Sequence, residues 1–211
     1  MLSILLAFGI DAGWEGRNAA NDRDRFLHSL VGDFETNAQR LDSLEAVHQR
    51  GLDASLALLA MSGPDAVAEN PAMIGQLLSA VMRHPTFAPV TGTVNALVLG
   101  GQLNSIEGDS LKAELASWEQ HLRDYSEDEI WGAEDVRVRL LPFLSSRIPV
   151  TMGYASNDRF DADYQGLLRS VEFGNHLTVR AHRTGVILDQ TGELRARITR
   201  MIDLARQELE R

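Results

Sequence analysis

Two stretches place acids and a histidine at spacings that metal chemistry uses. Asp161-Ala162-Asp163-Tyr164-Gln165-Gly166, followed by Glu172, fits the calcium loop of helix–loop–helix proteins, with Gln165 at the fifth position. Such a loop needs carboxylates at its first, third and last positions and a glycine at its sixth. Phe160 and Leu168 supply apolar residues where that loop expects them. No clear entering helix precedes Asp161, because Thr151–Asp158 reads as loop. A competing reading makes Asp161 or Asp163 a helix cap. It puts Glu172 in the first turn of the next helix, where a carboxylate suits the positive end of the dipole.

Glu45-Ala46-Val47-His48 is a Glu-x-x-His unit. Di-metal helical bundles carry it twice, with two further glutamates, and the spacing puts both groups on one helix face. Here it occurs once, and Glu172 and His176 are four apart rather than three. The competing reading for His48 is a histidine at the edge of the core. His176 and His182 are six apart and share no helix face; His28, His84 and His121 stand isolated. Asn37, Asn175 and His182 lie on or beside apolar stripes, where polar groups fix helix register. The chain has no cysteine, which removes thiolate nucleophiles, disulfides and cysteine-based metal sites. No phosphate loop, dinucleotide fingerprint, serine-hydrolase elbow or zinc-protease helix occurs. The expectation is no catalytic residue, no cofactor and no small-molecule substrate. Asp161, Asp163 and Glu172 are the weak metal candidates.

The elements that would position these groups are helical. The chain has 211 residues, of which 44% are hydrophobic and 24% charged, enough for a folded core. Its net charge of −10 shows no electrostatic footprint for nucleic acid. From Phe26 the stripe Phe26, Leu27, Leu30, Val31, Phe34, Ala38, Leu41, Leu44, His48, Leu52, Leu56, Leu59 advances in helical steps. With no proline before Pro64, one helix can run from the first residues to about Ala60. At ~1.5 Å per residue that is ~90 Å, too long for one compact domain unless it breaks at a glycine or enters a membrane. A second helix follows, capped by Asn70 with Pro71 at its first position and ended by His84-Pro85. A short helix over about 91–99 closes at Gly100-Gly101. A longer one is capped by Asp109, carries Leu111, Leu115, Trp118 and Leu122, continues past Tyr125 with Val136, Leu140, Leu141 and Leu144, and is expected to kink near Pro142. A weak strand over 148–152 precedes a last long helix from about Ser170. Its stripe reads Val171, Val179, Val186, Leu188, Leu194, Ile198, Met201, Ile202, Ala205 and Leu209. The expected fold is all-α, an antiparallel helical bundle.

The head of the chain bears on location. Met1–Ile10 is apolar all round apart from Ser3, and Trp14 follows before Arg17, Arg23 and Arg25. A signal peptide would carry a basic residue before the apolar run, and none precedes Arg17. An aromatic with basic residues after an apolar run is an interfacial pattern. Leu2, Ile4, Leu5, Leu6, Phe8, Ile10 and Trp14 are therefore the expected anchor residues. The run is shorter than the ~20 residues a full span needs.

ILLAFGIDAGWEGRNAANDRDRFLHSLVGDFETNAQRL resembles the start of a group of uncharacterised bacterial membrane-anchored proteins, whose single span ends in a motif of the type LLAF-x-(I/L)-D-x-W-x-E-x-R; the chain carries it as LLAF-x-I-D-x-x-W-E-x-R. Leu5, Leu6, Ala7, Phe8, Ile10, Asp11, Trp14, Glu15 and Arg17 carry the likeness. PTFAPVTGTVNALVLGGQLNSIEGDSLKAELASWEQHL and SVEFGNHLTVR are similar to later segments of that group. Members usually carry more apolar residues and a basic cluster ahead of the motif, so the span here is completed upstream, by partner subunits or by a thinned bilayer. The resemblance implies a bacterial inner-membrane protein with an anchor over 1–16 and a helical body over 17–211. The arginines after Trp14 favour a cytoplasmic body. The group's basic flank favours a periplasmic one, which is the expectation taken. The function expected is a non-enzymatic accessory or scaffold subunit of a membrane complex, respiratory or photosynthetic. Its partners are the bilayer and other membrane subunits. The alternative is a metal-binding helical module or enzyme.

Overall fold

The computed structural model describes the backbone of residues 2–150 and 160–211, and the side chains of those from Asn21 onward. Among the described residues the chain is helical, with no strand. The helices are α1 (Leu2–Met61), α2 (Pro71–Met82), α3 (Gly92–Leu99), α4 (Asp109–Asp135), α5 (Leu141–Ser145), α6 (Tyr164–Leu168) and α7 (Val171–Leu209). A 3-10 turn occupies Gln102–Ser105, and a π-helical segment, Val136–Leu140, joins α4 to α5. Residues 148–150 form no strand, and the rest of that expected strand lies outside the described residues. So does the loop Thr151–Asp158. The side chains of Leu2, Ile4, Leu5, Leu6, Phe8, Ile10 and Trp14 also lie outside them.

The body read as one domain over 17–211 divides into two compact units. The first comprises Met1–Arg40, Pro89–His121 and Arg195–Arg211; the second, Leu41–Ala88 and Leu122–Leu194. The 60 residues of α1 are unbroken by their glycines, and the helix contributes a segment to each unit.

Buried positions on the long helices alternate in steps of three and four. On α1 they are Leu27, Leu30, Phe34, Asn37, Leu41, Leu44, His48, Gly51, Ser55 and Leu58. On α7 they run Phe173, Leu177, Arg180, Thr184, Ile187, Thr191, Leu194, Ile198, Met201, Ala205, Glu208. A seven-residue repeat of this kind keeps one seam of a helix facing its neighbours. It overturns two sequence expectations. After His48 the seam runs through Gly51, Ala54, Ser55 and Leu58, leaving Leu56 51% exposed. On α7 Val171 and Val179 lie off the seam, at 80% and 37% exposure, while Arg180, Thr184 and Thr191 lie on it. Following the largest apolar side chains missed a seam that polar residues occupy.

In the first unit Phe34 meets Trp118 edge to face, with centroids 5.0 Å apart. Asn37 grips the backbone of Val90, donating to its carbonyl at 2.8 Å and accepting from its amide at 2.6 Å. Glu208, 2% exposed, accepts from the amides of Glu107 and Gly108 and so caps the start of α4. Carboxylate there meets unsatisfied amides and the positive end of the helix dipole. Gly101 ends α3 at φ 70°, a left-handed conformation that glycine adopts at little cost.

In the second unit Ala54, Leu58, Ile74, Leu78, Val81, Phe143, Leu168, Phe173 and Leu177 form part of one core. Burying each Leu or Phe there contributes roughly 1.5–3 kcal/mol. Asn70 caps α2 by accepting from the Met73 amide at 3.1 Å, with Pro71 at the first turn, as the sequence indicates. The π-helical segment explains the disturbance expected at Pro142. A further step of three after Glu129, Gly132 and Val136 would bury Arg139. One extra residue in the turn, marked by the Leu141 amide bonding to the Val136 carbonyl, buries Leu140, Phe143 and Leu144 instead. The wider turn also accommodates Pro142, which has no N–H to give.

Candidate functional site

The strongest concentration of polar chemistry is buried in the second unit, where α1, α4 and α7 present polar seam residues beside the end of α2. His48 is 0% exposed, Glu129 and Arg180 1%, and Thr184 0%. Each occupies a seam position, so helical periodicity alone drives it inward.

Arg180 is the organising group. Its Nε donates to the Val81 carbonyl at 3.0 Å and its Nη2 to the Arg83 carbonyl at 3.0 Å. Its Nη1 donates to Thr184 Oγ1 at 2.9 Å and to His84 Nδ1 at 2.8 Å. Four of five N–H bonds are thus satisfied, two by carbonyls at the C-terminal end of α2, where a cation offsets the dipole. Burial lowers the guanidinium pKa to about 10, and the charge of Asp135 opposes that shift. Thr184 passes its own proton to the Arg180 carbonyl at 2.7 Å. Gly51 leaves room: a Cβ there would lie 3.4 Å from Arg180 Nη2.

His84 is defined by that contact. A guanidinium only donates, so Nδ1 must present its lone pair and the ring proton sits on Nε2. Nε2 accordingly donates to the Glu129 carbonyl at 3.0 Å. The ring is neutral, with its pKa lowered to about 3 by burial, then by Arg180 and by His48. Gly132 lies against this ring; a Cβ there would come within 2.6 Å of it.

His48 stands 4.9 Å from His84, centroid to centroid. Its Nε2 is 3.7 Å from Glu129 Oε1, beyond hydrogen-bond reach, and both ring nitrogens and Oε1 lack a hydrogen-bond partner. Glu129 Oε2 accepts from the Phe87 amide at 2.7 Å. One turn away Tyr125 donates to Thr191 Oγ1 at 2.9 Å, since Thr191 gives its own proton to the Ile187 carbonyl. Burial, and then the charge of Glu129, push the Tyr125 hydroxyl far above its ordinary pKa.

The chain matches no protein-family model, no curated protein and no solved structure. Its chemistry is therefore read from these contacts alone. A histidine beside a carboxylate is half of a base-and-orienter pair, but the other half is an accessible nucleophile. Ser55 gives its hydroxyl to the Gly51 carbonyl at 2.7 Å. The His84 lone pair that could bind a metal already accepts from Arg180. Among the described residues no group of three or more His, Asp and Glu is placed to hold a metal ion.

The residues singled out from sequence lie elsewhere. Asp163 caps α6 by accepting from the Gly166 amide at 2.8 Å. Glu172 lies in the first turn of α7 and pairs with Arg147 at 3.1 Å, and Asp161 is exposed. A calcium loop needs residues 161–172 to curl around one point, yet 164–168 are helical and Gly166 sits inside that helix. The capping reading fits this geometry. Glu45 is half-buried, and the carboxylate beside His48 is Glu129. Asn37 is buried as expected, whereas Asn175 and His182 are exposed. His84 is not isolated: it belongs to the cluster.

Proposed function

We propose that this chain is a non-enzymatic, membrane-anchored helical subunit that scaffolds or assists a larger membrane complex. The observation that carries the non-enzymatic part is the closure of the polar cluster. Arg180 and Thr184, at 0–1% exposure, spend their hydrogen bonds on one another, on His84 and on backbone carbonyls, and His48 and Glu129 beside them are as deeply buried, so the cluster presents no group to a substrate. They act instead as a lock that holds α7 against the end of α2 in one register. The order of contacts along the second unit supports the bundle reading: Phe143 of α5 meets Phe173 near the start of α7, and Gly132 and Tyr125 of α4 lie by Ile187 and Thr191 farther along it. The anchor is the apolar head with Leu2, Ile4, Leu5, Leu6, Phe8, Ile10 and Trp14, supported by the interfacial Trp–Arg pattern and the resemblance of its exit motif. Among the described residues no helix is long and apolar enough to cross a membrane. On this reading the apolar head meets the bacterial inner membrane beside partner subunits, with the body periplasmic. Alkaline carbonate extraction of membranes from cells making the full chain tests this. Retention in the pellet, lost on Leu5→Asp/Phe8→Asp substitution, supports the anchor; complete release of the unaltered chain contradicts it.

A further inference from the structure

We propose that the groove between α4 and α7 in the second unit is a self-association surface, covered by a second copy of this chain. Trp131 on α4 and Val138 in the π-helical segment that follows it are 60% and 53% exposed. Val179 and Val186 lie seven apart on α7, with Val179 37% exposed. Each bank of the groove thus carries exposed apolar side chains outside the core. The Trp131 indole stands between two grooves. One, of about 460 Å³, includes Val179, His182 and Val186; the other, of about 400 Å³, includes Glu134, Val138 and Arg139, and Arg183 lines both. A ridge beside a groove is a self-complementary shape, as a two-fold contact requires. The charges match in the same sense. The α4 bank carries Asp128, Glu134 and Asp135, with Arg139 in the π-helical segment beyond them, and the α7 bank carries Arg183 and His182. A two-fold contact sets the α4 bank of each copy on the α7 bank of the other, pairing Glu134 with Arg183 twice.

Arg183 is poised for this. Its guanidinium lies 5.9 Å from the indole centroid, and its Nε is buried without a hydrogen-bond partner. Tryptophan and arginine are the residue types that most often anchor interfaces. The open, ridge-divided floor is unlike the enclosed pockets that bury most of a small ligand. The inference stands whether or not the chain is tethered to a membrane.

Sedimentation equilibrium of the full chain in mild detergent tests it, with circular dichroism as a check on folding. The expected mass is twice the 23.3 kDa of one chain. Trp131→Ala, Glu134→Arg and Arg183→Glu each give monomer. Mixing the Glu134→Arg and Arg183→Glu proteins restores dimer, because each reversed charge then faces its opposite. An unaltered chain that stays monomeric, or binds only another protein through this groove, overturns the proposal. So does a dimer that Trp131→Ala and Val138→Glu leave intact, or a mixture that stays monomeric while both variants are folded.

Discussion

Arg180 donates to Nδ1 of His84 at 2.8 Å, and this contact fixes the tautomer of the His84 ring. A second proton on His84 would have to replace the lone pair that the guanidinium uses. It would also put a cation against a cation. Burial is the largest cause, Arg180 and then His48 add to it, and the pKa falls to about 3.

Stability should therefore depend on pH in a stated direction. The unfolded chain binds a proton at His84 below about 6.5, and the folded chain refuses it down to about 3. The contribution of His84 is full above that window and is lost progressively as pH falls through it. Thermal midpoints measured from pH 7 to pH 4 should fall more steeply for the native chain than for His84→Asn. Equal slopes would show that His84 is protonated in the folded state.

Removing the guanidinium leaves the Val81 and Arg83 carbonyls and His84 Nδ1 without their donor. Each unsatisfied buried group costs about 1–3 kcal/mol, so Arg180→Met should lose roughly 3 kcal/mol or more. Urea denaturation measures it. A loss below about 1 kcal/mol would mean that the lock contributes little.

Gly132→Ala separates packing from propensity. In an open helix the change gains up to about 1 kcal/mol. Here the new Cβ would meet the His84 ring at 2.6 Å, and that ring is held from both sides. The overpacking should reverse the sign, to a loss of about 1–3 kcal/mol in the same denaturation experiment.

His48 and Glu129 make an informative contrast. His48 has no hydrogen bond to lose, so His48→Leu should be neutral or stabilising within about 1 kcal/mol. Glu129→Leu deprives the Phe87 amide of its acceptor and should cost about 1–3 kcal/mol. If the two variants are equally destabilised, the 3.7 Å separation between them hides a real bond in solution.

The helices were largely legible because their signals are local. Asn70-Pro71 starts α2, Gly100-Gly101 ends α3, and Pro142 marks the π-helical turn. The cluster was not legible for a reason visible in α7. A stripe drawn through Val171, Val179 and Val186 is the more apolar one, yet the buried seam passes through Arg180, Thr184 and Thr191. Only the strict seven-residue step, continued from Leu194 and Ile198 back to Phe173, would have exposed that choice. His84 and Glu129 lie 45 residues apart and share no motif; tertiary packing alone joins them. Asp163 looked like a ligand because capping and calcium binding both use an aspartate at the start of such a segment, and the glycine three residues on fits the loop while its amide serves the cap.

The measurement closest to the central claim, a sealed cluster that locks rather than reacts, is the nitrogen-15 NMR spectrum of the imidazoles at pH 5. The account predicts that His84 is neutral there with its proton on Nε2, and that the Arg180 Nε–H exchanges slowly with solvent. A protonated His84, or a rapidly exchanging Arg180, would contradict it.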